Sequence, residues 1–530
     1  MTPLATLALT RGITRLLERF DGGPGATVGV VQDGALTIHR SAGLASLELG
    51  IPIGPETTFR VASVTKQFTC AAILMLANEG RLHLDDDARL HLPELPDMGA
   101  PVTVAHLMRN TSGIRDMLGI QRMGGADLGQ PVRPDELMDG ILRQRTHNFT
   151  PGSRFLYSNS NFLLLGRIVE RLSGEPLAAV LDRRLLTPAG MTRSRLVEQV
   201  ATVVPGLATG YLQREGAWVR APHAFPLHGE GGLVSCVEDL ALWNRWLDAT
   251  PALADALAQE STFTNGHPSL YAQGQVVRDY RGIPTTGHGG LWPGYRTEFL
   301  RVPGENLAVI AISNRGDTDT SLLVHQVFDL MLEGRPGNVP VPAAPAPADT
   351  TPLAGHWLDR DTGATLDITV AEDGTTTFTT YGLSFIPSLQ PDGRLGIIRG
   401  MTFFALRPLD SGTLQVEMDA GHTATYHRVP HGPTLPDGLP GAYRSDEIAA
   451  DWTLTNGASG LQVTASGPVV SGGPWRIEPI EGDVIRIHVP DILFPSWLDA
   501  SVLRGGTGGI EALSVSSGRV KNVLFRRVSD

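Results

Sequence analysis

The sequence predicts a multidomain protein. A mixed α/β (α+β) region spans residues 1–335, and two small antiparallel β-barrels follow over residues 353–430 and 437–530. Three observations predict this. The chain has 530 residues, more than the roughly 250–300 that one hydrophobic core supports. The stretch RPGNVPVPAAPAPADTTP at residues 335–352 is dominated by proline and alanine, which favour an extended spacer over a core. Finally, the patterning changes across that spacer, from helical and strand periods in alternation to short strands separated by turn signals.

In the first region, the leucines and isoleucines of residues 1–20 recur at helical spacing with Arg11, Arg15, Glu18 and Arg19 between them, an amphipathic helix and not a leader peptide. Residues 28–31 and 36–39 flank Asp33-Gly34, which predicts a hairpin. Residues 68–78 form an apolar helix that Glu79-Gly80 would end. Further helices are expected over 134–145, 161–173, 237–247 and 320–332, with a buried strand over 307–313. After the spacer, 365–370, 375–380, 414–418 and 423–427 alternate like strands, with turns at Asp373-Gly374, Asp392-Gly393 and Ser411-Gly412. A second break over 430–440 divides this part. Both pieces open on Gly-x-aromatic followed by acidic residues, at Gly355 and Gly441.

Composition excludes several functions. The formal net charge of −12 opposes binding to a phosphate backbone. No apolar run is long enough to cross a bilayer, so a cytoplasmic location without membrane partners is expected. Cys70 and Cys236 are the only cysteines and lack metal spacing, so neither disulfide framework nor metal site is expected.

The 43 Lys and Arg residues include just two lysines, Lys66 and Lys521. A lysine kept in an arginine-rich chain points to a task guanidinium cannot perform, such as releasing a proton. Lys66 lies three residues after Ser63, one helical turn on, where an amine can activate a hydroxyl nucleophile. Ser63 would open a helix, with its N–H directed at a developing oxyanion. Tyr157-Ser158-Asn159 follows a Pro-Gly turn and offers a phenol and a carboxamide two residues apart. Asn159 is equally suited to cap the next helix. His288-Gly289-Gly290-Leu291 is a glycine-dense strand edge that a ligand could approach closely. His106 and His147 lack such a setting and are expected to be structural.

Ser-x-x-Lys, then Tyr-x-Asn, then His-x-Gly is a layout that resembles the penicillin-recognising serine hydrolases, the class C β-lactamase and DD-peptidase family. Flanking stretches such as His106-Leu107-Met108-Arg109-Asn110-Thr111-Ser112-Gly113 and Gly231-Gly232-Leu233-Val234-Ser235 are similar too. The two-barrel extension resembles bacterial D-aminopeptidases over nearly the whole chain. The resemblance implies a β-lactamase/transpeptidase-like catalytic domain, two lipocalin-like barrels, a homodimer, no cofactor, and a short substrate with a free amino end. It implies Ser63 as nucleophile, Lys66 and Tyr157 as proton carriers and His288 as a polar replacement for a lysine. It also implies Asn159, Gly290 and Leu291 as substrate-binding positions. A loop from the last barrel would enter the cleft; residues 488–499 are the candidate, with Asp491 facing an ammonium group. Esterase, β-lactamase and DD-carboxypeptidase activities, or a non-catalytic scaffold, stay open at this point.

Overall fold

The computed structural model describes residues 3–332, 350–390, 392–397, 401, 403–430, 432–458, 460–492 and 496–528. Most of the proline-rich spacer therefore lies outside the described residues. In the first region, helix α1 (Pro3–Leu17) leads into strands β1 (Ala26–Gln32) and β2 (Ala35–Ala42). The hairpin turn between them holds Asp33 at φ 51° and Gly34 at φ 74°, the left-handed pair that matches strand twist. Helices α2 (Thr65–Asn78), α3 (Met117–Met123), α4 (Asn159–Ser173) and α5 (Val237–Ala249) precede strands β3 (Val276–Tyr280), β4 (Ile283–Trp292), β5 (Tyr295–Val302) and β6 (Leu307–Ser313). Helix α6 (Thr320–Leu332) closes the region.

These strands form one antiparallel sheet in the order β3-β4-β5-β6-β1-β2. Every residue of β6 is buried because helices cover both faces. Ile310 and Ile312 pack toward α2 and α5, with Phe68 and Trp243. Val309 and Ala311 alternate to the other face, against Leu9 and Ile13 of α1 and Val327 of α6. The sheet is thus the middle of three layers. No helix among the described residues is long and apolar enough to cross a membrane.

After the spacer, strands from Gly355–Asp359 to His422–Arg428 make a nine-stranded antiparallel sheet that curls into a half-barrel around Trp357, Ile368, Phe378 and Leu414. Eight further strands, Gly441–Ser445 through Val523–Arg527, form a closed barrel in which the last strand pairs with the first. Its apolar core includes Trp452, Val463 and Phe525, and takes in Ile120 and Met123 from α3. The Trp452 indole donates to the Met123 carbonyl at 2.9 Å, so a catalytic-region helix is seated in the barrel. Arg486 of the barrel joins it to the half-barrel through Asp367 at 2.8 Å and Thr365 at 2.7 Å.

Candidate active site

The nucleophile candidate sits on a clamped turn. Phe59–Arg60 pairs with Leu233–Ser235, Val61 N–H donates to Leu233 O at 3.1 Å, and the Thr65 hydroxyl donates to Ala62 O at 2.6 Å. Ala62 is held at φ 48°, a strained left-handed conformation for a residue with a Cβ. Ser63 follows in the 3-10 turn Ala62–Val64, before α2 begins at Thr65. The helix thus starts three residues earlier than its apolar stretch predicts, because Lys66 and Gln67 are buried within it.

Lys66 is fully buried. Its Nζ lies 3.1 Å from Ser63 Oγ, 2.9 Å from Asn159 Oδ1 and 2.6 Å from the Glu230 carbonyl. The last two are acceptors that take two N–H bonds. A neutral amine so held turns its lone pair toward the Ser63 hydroxyl. Burial pushes the amine down to about 7, against the pull of Glu230 and with help from Arg519. The Tyr157 phenol hydrogen-bonds to Ser63 and is pushed up by burial, so it remains protonated at neutral pH. Asn159 is the first residue of α4, and its carboxamide serves Lys66 instead of capping the helix. Its own N–H donates to Asp116 Oδ2 at 2.6 Å, while Asp116 Oδ1 caps α3 through Leu118 and Gly119.

Strand β4 forms the other wall. A Cβ on Gly290 would lie 2.1 Å from Val61 O, so only glycine lets the strand lie against the Ser63 turn. Leu291 follows, with an exposed side chain. His288 is buried: Nδ1–H donates to Gly289 O at 2.5 Å, and Nε2 accepts from the Tyr271 hydroxyl at 2.9 Å. Burial, then the neighbouring Lys66, push its pKa down to about 3. His288 is thus a neutral ring that orients Tyr271, whose own ring meets Tyr157 edge-on.

Behind Lys66, Glu230 is buried and its carboxylate accepts from His228 N–H at 2.9 Å. Burial pushes the His228 imidazole down, but hydrogen bonds to Glu170 and Glu198 outweigh this and hold it at about 9. Among the described residues, this trio brings ligand-type atoms within 4.8 Å of one another. A divalent cation there would have to displace the His228 proton. The raised pKa sets a sign: stability from this cluster is full below the unfolded value of 6.5 and is lost as pH rises through about 9. Melting curves of the native protein should show a loss on the order of 2–3 kcal/mol over that window, and His228→Gln should flatten it.

Two loops of the closed barrel reach this region. In the first, expected at 488–499, Asp491 pairs with Arg122 of α3 and Ile492 packs on the catalytic core; residues 493–495 lie outside the described residues. The carboxylate expected to meet an ammonium group is thus engaged by a guanidinium. The second loop, 517–522, was not anticipated. It sets Arg519 over the Tyr157 ring, Cζ 4.6 Å from its centroid. Besides Arg519, sequence reasoning missed Asp116, Glu230 and Tyr271. An aspartate directly before a helix was a readable cap signal, whereas nothing local to Tyr271 marks it.

A beta-lactamase family model matches residues 13–329. The chain belongs to the beta-lactamase family. As a member of that family it is a serine hydrolase, and its likeness to curated proteins runs beyond the family domain. It is 28% identical to a D-aminopeptidase of Brucella anthropi over 539 residues, covering 100% of both chains. It is 30% identical to a D-aminopeptidase of Gluconobacter oxydans over 371 residues, 69% of each. Among solved structures, an octameric penicillin-binding protein homologue from Pyrococcus abyssi superposes with TM-score 0.56 at 21% identity, over 80% of this chain and 99% of that one. This beta-lactamase family member therefore shares its fold with that homologue.

Proposed function

We propose that the chain releases N-terminal D-amino acids from short peptides, amides or esters through an acyl-enzyme on Ser63. The observation that carries the reading is the buried Lys66 amine, 3.1 Å from Ser63 Oγ with its two other contacts both acceptors. Full-length likeness to D-aminopeptidases supports the choice of substrate.

Ser63 Oγ attacks the substrate carbonyl while Lys66 takes the hydroxyl proton. The N–H groups of Ser63 and Leu291 receive the developing oxyanion. Tyr157, kept protonated by burial, hands its proton to the leaving nitrogen and is reprotonated from Lys66. Asn159 holds the amine in place and meets the acyl side of the substrate. His288 keeps Tyr271 and the Tyr157 wall in position without adding charge. Water then enters, gives its proton back through Lys66 and releases the acid. Two buried free thiols, Cys70 and Cys236, fit the reducing conditions of the cytoplasm.

Hydrolysis of paired D- and L-alanine amides and para-nitroanilides, with mass spectrometry of the trapped protein, tests the reading. Turnover of the D forms with an adduct on Ser63 is expected. An L preference would overturn the substrate choice, and turnover without any Ser63 adduct would overturn the chemistry.

A further inference from the structure

The closed barrel brings into the cleft a cation that the scheme above leaves without a task. Arg519 sits in the turn 517–522, whose backbone is fixed from several sides. Its carbonyl accepts from Asn148 Nδ2 at 3.1 Å and from Asp116 N–H at 3.5 Å. Lys521 N–H donates to Asn148 Oδ1 at 2.8 Å, and Arg115 Nε donates to the Lys521 carbonyl at 3.1 Å. Between them, buried Val520 abuts α3 so tightly that a Cβ on Gly119 would lie 2.6 Å from its Cγ2. The turn is therefore a rigid arm, and the half-buried Arg519 side chain leans from it onto Tyr157.

A guanidinium offers five N–H donors in a fixed fork. Among the described residues Arg519 has no ion-pair partner, and its contact is the face of the Tyr157 ring. The nearby acids are already engaged. Asp116 accepts from the N–H groups of Leu118, Gly119 and Asn159, and Asp491 holds Arg122. The fork is thus open for an anion brought by a ligand. In the proposed scheme the acyl half of the substrate lies on the Asn159 side. Tyr157 protonates the departing nitrogen, so the side beyond its ring faces the leaving residue, whose carboxylate is one Cα away from that nitrogen.

We infer that Arg519 is a specificity-determining residue that receives the free carboxylate of the leaving amino acid, so that the substrate class is dipeptides with both ends free. This rests on the proposed roles of Ser63 and Tyr157. A planar fork meets a carboxylate bidentately, which fixes orientation as well as charge.

The test compares D-alanyl-glycine with D-alanyl-glycinamide, which differ only in that carboxylate, on the native enzyme, Arg519→Gln and Arg519→Lys. The native enzyme should favour the acid. Arg519→Gln should lower the preference for the acid over the amide by roughly 10- to 100-fold in kcat/KM, on top of any loss common to both substrates through Lys66 and Tyr157. Arg519→Lys should restore part of that preference. Equal losses on both substrates would mean that Arg519 acts on Tyr157 and Lys66 instead of the substrate, and would overturn the inference. An unchanged preference in Arg519→Gln would do the same. If the native enzyme cleaves neither dipeptide, the proposed function fails on its own. Calorimetry then decides the inference separately, with D-alanyl-glycine and D-alanyl-glycinamide titrated into Ser63→Ala with and without Arg519→Gln. Tighter binding of the acid that vanishes with Arg519 supports it, and equal binding refutes it.

Discussion

Lys66→Arg should lower kcat by roughly 10³- to 10⁴-fold, the scale on which general-base catalysis contributes. The substitution keeps the charge type that this chain uses at 41 other positions, yet it removes what Lys66 supplies. A guanidinium stays protonated, and nothing could accept the Ser63 proton. The pocket compounds the loss. Lys66 is fully buried, with its nitrogen held by Asn159 and Glu230, so a larger, permanently charged group would also destabilise the fold. Lys66→Met separates the two effects, because it should lose a similar amount of activity while keeping the melting temperature closer to native. The pH dependence carries the same signature. Only the neutral amine accepts a proton, so kcat/KM should rise with pH and level off above about 7. Near-native rates in Lys66→Arg, or a profile that falls through pH 7, would exclude Lys66 as the base.

Gly290→Ala is the second large effect, reached through backbone and not through any functional group. The added methyl would lie 2.1 Å from Val61 O and 3.2 Å from Thr297 Cβ. The carbonyl belongs to the clamped Ser63 turn and cannot yield, so β4 must move away. Displacing Leu291 N–H from the oxyanion should reduce kcat by about 10²- to 10³-fold, as for loss of one preorganised donor. Overpacking of this kind costs about 1–3 kcal/mol. A folded variant with a small acylation rate is the expected result of burst kinetics and melting together. Native acylation in the variant would remove Gly290 and Leu291 from the scheme.

Much of this was legible in the residues. Period and turn chemistry marked β6 and α6 with the bounds observed, and located Asp33-Gly34, since those signals are local. The catalytic triad candidates were legible because Ser63 and Lys66 are one turn apart and two lysines stand out among arginines. What could not be read was long-range. Tyr271 meets His288 only through the pairing of the strands around them, and Glu230 acts through a backbone carbonyl that any residue would offer. The prolines and apolar residues of 488–499 mark it as a packed insertion, and no such signal marks 517–522. The structure uses both loops, the first held by Asp491 and Arg122 and the second presenting Arg519.

The closed barrel is completed only when its final strand, Val523–Arg527, pairs with Gly441–Ser445. The 517–522 turn hangs directly before that strand, while Ser63 and Lys66 lie near the other terminus. In chain order the nucleophile candidate therefore precedes the arm beside it, and the two are held together only when the barrel seam forms. If Arg519 reads the leaving carboxylate as inferred, a lesion that opens the barrel seam would cost discrimination as well as stability.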